Sequence, residues 1–123
     1  MTLADEKYVA LTTYKKDGTP KSLPVWIAEL DDGRLGFTTA VSSWKVKRLR
    51  NDDRVLLQPS NSRGVVKPGT DTTSGRGEVL SGPEVAAVEA RIKKKYGIAY
   101  RVIGLINRIS GKSSDGAIAI TLD

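Results

Sequence analysis

The 123-residue sequence contains no cysteine and no histidine. Disulfides, thiolate zinc sites, cysteine nucleophiles and Ser-His-Asp triads are excluded, so no metal site is expected. Any catalytic group is a carboxylate, amine or hydroxyl, or arrives with a cofactor. Aromatic residues are scarce, at 6%. No apolar run approaches the roughly 20 residues that a membrane span requires. The opening MTLADEKYVA lacks the basic region and apolar stretch of a signal peptide. These absences predict a soluble, cytoplasmic protein with no membrane partner, and the length predicts one domain over 1–123.

Positive charge is plentiful. Lys and Arg number 20 against 14 Asp and Glu, a formal net charge of +6. That excess points to an anionic partner, which could be a nucleic acid, an acidic surface or a phosphorylated small molecule. A barrel that binds single strands needs repeated exposed rings for stacking. With so few aromatics, nucleic acid is the least favoured of these partners.

Turn chemistry organises the first third of the chain. Tyr8 to Tyr14 is rich in β-branched and aromatic residues, and KKDGTP (Lys15 to Pro20) supplies an Asp-Gly hairpin turn. A second strand is predicted over Ser22 to Leu30, a second Asp-Gly turn at Asp32-Gly33, and a third strand over Arg34 to Thr39. Three strands joined in this way read as an antiparallel meander. Further strands are predicted over Arg54 to Pro59, Arg76 to Leu80 and Gly116 to Leu122. The segment between residues 61 and 75 is either a wide turn or a functional loop. Pro83 fits the first turn of a helix that puts Val85, Val88, Ile92 and Tyr96 on one stripe and closes at Gly97. A second helical pattern runs from Ile98 to Ile109. The expected fold is mainly β: a six-stranded antiparallel barrel with short helices at its openings.

The stretch FTTAVSSWKVKRLRN, from Phe37 to Asn51, carries an electrostatic anomaly. A helix start favours acids, yet Lys45, Lys47, Arg48 and Arg50 follow the Ser42-Ser43 cap with no acid among them. A phosphate held by Thr38, Thr39, Ser43, the helix N-terminus and Lys45 would make that arrangement favourable. The same spacing also fits a solvated amphipathic helix with Val46 and Leu49 on its core face. Trp26 is either core or, at a barrel rim, a ring beside a planar ligand. Pro24 suits a strand edge or bulge. Arg63-Gly64, with Lys67 and Arg76 nearby, is either a solvated loop or an arm reaching an anionic ligand across a dimer. The lysines of ARIKKKYG complement the C-terminal dipole of their helix.

The run TT-x-x-S-S-W-K-V-K-R-L-R-N-D-D-R-V resembles the signature of the pyridoxamine 5′-phosphate oxidase-like flavin/deazaflavin split-barrel superfamily. PVWIAELDDGRLGFTT, KVKRLRNDDRV, SRGVVKPG and KYGIAYRVIGLINRI, in that order, resemble more closely its F420-dependent flavin/deazaflavin oxidoreductases of the B group. The resemblance implies a homodimeric six-stranded split barrel of the FMN-binding type, with a cofactor in a groove at the dimer interface. It places Thr38, Thr39, Ser43, Lys45 and Lys47 at the cofactor phosphate, with Trp44 in the same turn. Pro24, Val25 and Trp26 lie beside the tricyclic ring, and Arg63 and Gly64 approach it from a loop. Leu23 and Ala28 stand where pyridoxamine phosphate oxidases carry arginine and lysine, which favours coenzyme F420 over FMN. The expected activity is hydride transfer from reduced F420 to a conjugated, electron-poor small-molecule acceptor. The alternatives are the same fold holding FMN, a haem-derived or a lipid-like ligand without F420 turnover, or a basic nucleic-acid-binding barrel. No residue stands out as the catalytic acid, although Tyr96 and Tyr100 are possible proton donors.

Overall fold

The structure, a computed structural model, describes residues 3–40, 43–97 and 116–123. Ser42, Tyr100 and the helical pattern from Ile98 to Ile109 lie outside the described residues. Both Asp-Gly turns form. Asp17 Oδ1 accepts from Thr19 N–H at 2.9 Å, and Asp32 Oδ1 accepts from Arg34 N–H at 3.1 Å. The first turn joins β1 (Tyr8–Tyr14) to β2 (Pro20–Val25), and the second joins β3 (Ala28–Glu29) to β4 (Leu35–Thr39).

The second strand predicted from sequence is therefore two strands, and the sheet has seven strands rather than six. The simple three-strand meander is corrected with it. β2 pairs with β1, whereas β3 pairs with β4, and the chain passes from one to the other at Trp26-Ile27. The backbone groups of Ile27 leave the ladder there. The Ile27 N–H donates to the Tyr96 hydroxyl at 2.9 Å, and the Ile27 carbonyl accepts from Lys95 Nζ at 2.5 Å. These side chains substitute for a neighbouring strand, so the break leaves no buried backbone group of Ile27 unpaired.

The remaining elements are α1 (Trp44–Asn51), β5 (Arg54–Ser60), β6 (Thr73–Leu80), α2 (Pro83–Tyr96) and β7 (Gly116–Leu122), with a short 3-10 turn at Leu3–Asp5 ahead of β1. β6 starts three residues earlier than the sequence predicts. All pairings are antiparallel, in the order β2-β1-β5-β6-β7-β4-β3. The two ends of that order are successive pieces of one segment. The result is a split barrel, closed by the covalent chain at Trp26-Ile27 and not by a ladder.

Alternation along the strands builds two cores. On β7, Ile118 and Ile120 point into the barrel with Val9, Leu11, Val25, Ile27, Phe37, Val55 and Leu57. Its alternate residues, Ala117 and Ala119, lie under α2 with Ala28, Leu80, Val88, Ile92 and Tyr96. α1 inserts Val46 and Leu49 into the inner core, as expected of a helix at an opening. α2 instead covers the outer face of the sheet, where small alanines admit a helix. Among the described residues no helix is long and apolar enough to cross a membrane.

Candidate functional site

The site begins where β4 ends. Thr39 is buried, and its hydroxyl donates to Ser43 Oγ at 3.3 Å. Ser43 Oγ in turn accepts from the Val46 N–H at 3.4 Å, capping α1 from an extended backbone conformation. The intervening turn is tight: Ser43 N–H donates to the Ala40 carbonyl at 3.0 Å. Thr38 is half-buried one residue before Thr39. The first N–H groups of a helix have no intrahelical acceptor, and Ser43 satisfies only that of Val46.

No acidic residue occupies the first turn of α1. Lys45 is half-buried there. Burial, and after it the neighbouring Arg48 guanidinium, hold its ammonium below the ordinary lysine value. Among the described residues Lys45, Lys47, Arg48 and Arg50 have no ion-pair partner, whereas Arg34, Arg54, Lys67, Arg76 and Arg91 each have at least one. The Lys47 ammonium lies 4.5 Å from the ring centroid of Trp44, a tryptophan left 68% exposed. Hydroxyls, first-turn N–H groups and a half-buried unpaired ammonium form a donor set that suits a phosphate in both charge and chemistry. Among the described residues no acidic cluster is arranged to hold a metal ion.

Pro24 and Val25 lie at the end of β2, with Val25 facing the inner core. Trp26 takes the opposite face. It is half-buried against α2, stacked on Tyr96 with ring centroids 4.3 Å apart and planes 6° from parallel. It therefore belongs to the outer core, and one face of its ring is covered. The β3–β4 register runs through Glu29↔Leu35 and Ala28↔Gly36 and stops. Continued, it would set Trp26 across from Thr38 and Val25 across from Thr39. The two strand segments singled out in the sequence thus flank the split.

Gly64 is brought to Pro24. It has a positive φ of +83°, and a Cβ built on it would lie 3.2 Å from Pro24 Cδ. The turn carrying it is organised by Asn61, whose Oδ1 accepts from the N–H groups of Arg63 and Val65. Of the basic cluster Arg63, Lys67 and Arg76, Lys67 is bonded to Glu6 and Arg76 to Asp53. Sequence reasoning missed Glu6 altogether and read Lys95 only as one of the cations that complement the dipole of its helix. Their partners are distant in the chain, and no local pattern marks them.

Tyr96, a candidate proton donor, is committed elsewhere. Its hydroxyl accepts from Ile27 N–H and lies 2.7 Å from the Lys7 carbonyl and 3.1 Å from that of Ile27. Burial pushes its phenol up to about 12. A phenol so placed is a poor acid and a good structural tie. A shallow groove beside α2, lined by Leu30, Arg34, Leu80, Val88 and Arg91 among others, shares no residue with the turn before α1.

Comparison with known proteins follows the same outline. Residues 2–122 match the family model described as pyridoxamine 5′-phosphate oxidase. No curated protein matches the sequence. Among solved structures, a conserved hypothetical protein of Mycobacterium tuberculosis superposes with a TM-score of 0.70 at 19% identity, over 98% of this chain and 75% of that one. An F420 reductase gives 0.60 at 18% identity, over 98% and 90%. HutZ, the haem storage protein of Vibrio cholerae, gives 0.65 at 13% identity, over 97% and 82%. Two other matched chains are longer, and this chain spans 47% and 46% of them. At these identities the likeness is one of fold.

Proposed function

The chain belongs to the pyridoxamine 5′-phosphate oxidase family, and from that premise we propose that it is an F420-dependent oxidoreductase. The observation that carries the reading is Lys45, a half-buried cation without an acidic partner among the described residues, in a helix turn that has hydroxyls but no acid. A phosphate supplies the missing negative charge. Thr38 and Ser43 would donate to it, Thr39 would turn its hydroxyl from Ser43 to join them, Lys45 would neutralise it, and Lys47 would add a second cation from its place over Trp44. When bound, reduced F420 supplies hydride to a conjugated, electron-poor organic acceptor. The backbone at Pro24, Val25 and Trp26 would border the ring, and the loop of Arg63 and Gly64 would approach it.

The phosphate cradle alone does not separate F420 from FMN. F420 is favoured by the sequence resemblance, with Leu23 and Ala28 in place of the charged pair of pyridoxamine phosphate oxidases. A haem reading has less support, because the sequence holds neither histidine nor cysteine and leaves only tyrosine or methionine to ligate an iron. We further propose a homodimer of this single domain with the groove at its interface. Leu23 and Val65, each adjacent in sequence to the Pro24–Gly64 contact, are exposed apolar side chains that a second copy would cover.

Titration with F420, FMN and haem, followed by tryptophan quenching, tests the reading. Selective binding of F420 is the expected result. Lys45→Ala should weaken it by about 1.5–3 kcal/mol, the range for a hydrogen bond to a charged group. Unchanged affinity in that variant removes Lys45 from the phosphate site, and failure to bind F420 removes the oxidoreductase assignment.

A further inference from the structure

Glu6 is 8% exposed, and it is the only acidic residue so buried among the described residues. A carboxylate in that position is costly unless it is paired and hydrogen-bonded. Its partner is Lys67, whose ammonium donates to Glu6 Oε2 at 2.7 Å across 61 positions of sequence. The backbone of the same short stretch is held from the other side. Lys95 Nζ donates to the Glu6 carbonyl at 2.6 Å and also to that of Ile27, and the Tyr96 hydroxyl lies 2.7 Å from the Lys7 carbonyl. Glu6 is thus fixed by the end of α2 at the split, with its carboxylate turned toward the segment that follows β5.

That segment has several bonds of its own. Lys67 N–H donates to the Pro59 carbonyl, Thr70 Oγ1 donates to the Lys67 carbonyl, and Gln58 reaches Thr70. All of them tie the loop to itself or to β5. Among the described residues, Lys67–Glu6 is the only side-chain hydrogen bond that ties it to another part of the chain. We propose that Glu6 is a positioning residue for the cofactor groove, acting through Lys67 to hold the turn of Asn61, Arg63 and Gly64 against Pro24. This inference rests on the functional reading above. Its physical content is that one buried carboxylate sets the loop and the split strand relative to each other before a ligand arrives, lowering the ordering cost of binding.

The test uses the full chain and the variants Lys67→Met, Lys67→Arg, Glu6→Gln and the double variant Glu6→Gln/Lys67→Met. Amide hydrogen exchange at residues 61–66 is measured without ligand, against β7 as an internal reference, and F420 affinity is then measured by tryptophan quenching. Lys67→Met should speed exchange in 61–66 by about tenfold while β7 is unchanged, as for a local opening. It should also raise the Kd for F420 by roughly five- to tenfold. Lys67→Arg should restore both, and the double variant should match Lys67→Met because the pair acts as a unit. Unchanged loop exchange overturns the proposal, as does faster exchange with unaltered affinity. Failure of the wild-type protein to bind F420 instead overturns the functional reading. Selective loosening of the loop in Lys67→Met then still supports the anchoring role of Glu6.

Discussion

Lys45 sits half-buried in the first turn of α1, next to Arg48 and without an acidic partner among the described residues. Its folded-state value lies below the ordinary 10.5, so the folded protein holds this proton less tightly than the unfolded chain does. The sign follows from linkage. The charged lysine opposes folding at neutral pH, and the penalty fades as pH rises through the lowered folded value toward the unfolded one. Lys45→Met should therefore leave the ligand-free protein as stable as the wild type or more so, while weakening its binding of F420. Thermal unfolding with and without ligand checks both signs. An anion restores the proton affinity of Lys45, so the complex binds more protons than its separated parts. Wild-type affinity should fall as pH rises through the lowered free-protein value, and the Met variant should lose that dependence. A variant destabilised without ligand would instead assign Lys45 to the architecture of α1.

At the scale of elements, the position of α1 depends on a glycine in a different strand. A Cβ at Gly77 of β6 would stand 2.9 Å from Leu49 Cδ2 and 3.2 Å from Cδ1, and Leu49 is one of the two α1 residues in the inner core. Gly77→Ala should destabilise the protein by about 1–3 kcal/mol through overpacking, and should lower F420 affinity by displacing the helix that carries Lys45. Chemical denaturation and ligand titration read the two effects, and Leu49→Val in the same chain should recover part of the loss. Elements of this kind were unevenly legible in the sequence. The two hairpin turns and the stripe of Val88, Ile92 and Tyr96 depend on local spacing, and they stand where the pattern placed them. The cap at Ser43 was legible for the same reason, since its bond spans three residues. The break at Trp26-Ile27 was not, because the Tyr96 hydroxyl that receives the Ile27 N–H lies 69 positions away. Trp26 was open between core and rim, and its stacking on Tyr96, a similarly distant residue of α2, packs it in the outer core. The Glu6–Lys67 bond was hidden by the same kind of distance, which is why Lys67 looked like part of a basic cluster with Arg63.

For the molecule as a whole, Tyr96 joins the two cores, since it packs in the outer one and bonds the backbone of Ile27 at the wall of the inner one. Its phenol is raised from an ordinary 10.0 to about 12 by burial, with the bond to Ile27 acting in the opposite direction. A group with a raised folded value contributes stability that is intact below the unfolded value and lost as pH climbs through the folded one. Global stability should therefore decline between about pH 10 and 12 as the unfolded chain loses this proton first. Tyr96→Phe should cost about 1–3 kcal/mol at neutral pH by leaving the Ile27 N–H unpaired, and should remove this tyrosine's share of the alkaline decline. Unfolding curves across that range decide the matter, and a variant with the same alkaline slope as the wild type would assign the decline to other groups.

The order of the sheet also bears on how the chain comes into being. β7, at residues 116–122, lies between β4 and β6, which are adjacent in the sheet only through it. During synthesis from the N-terminus, the strands up to β6 exist before the strand that joins them. Until residues 116–122 emerge, β4 and β6 each present an open edge, and Phe37, Val55 and Leu57 lack the two isoleucines that complete their cluster. Hairpins can form early, but the barrel cannot. Maturation is then a late, concerted event, and the incomplete chain carries unpaired edges and apolar surface that invite association with its neighbours.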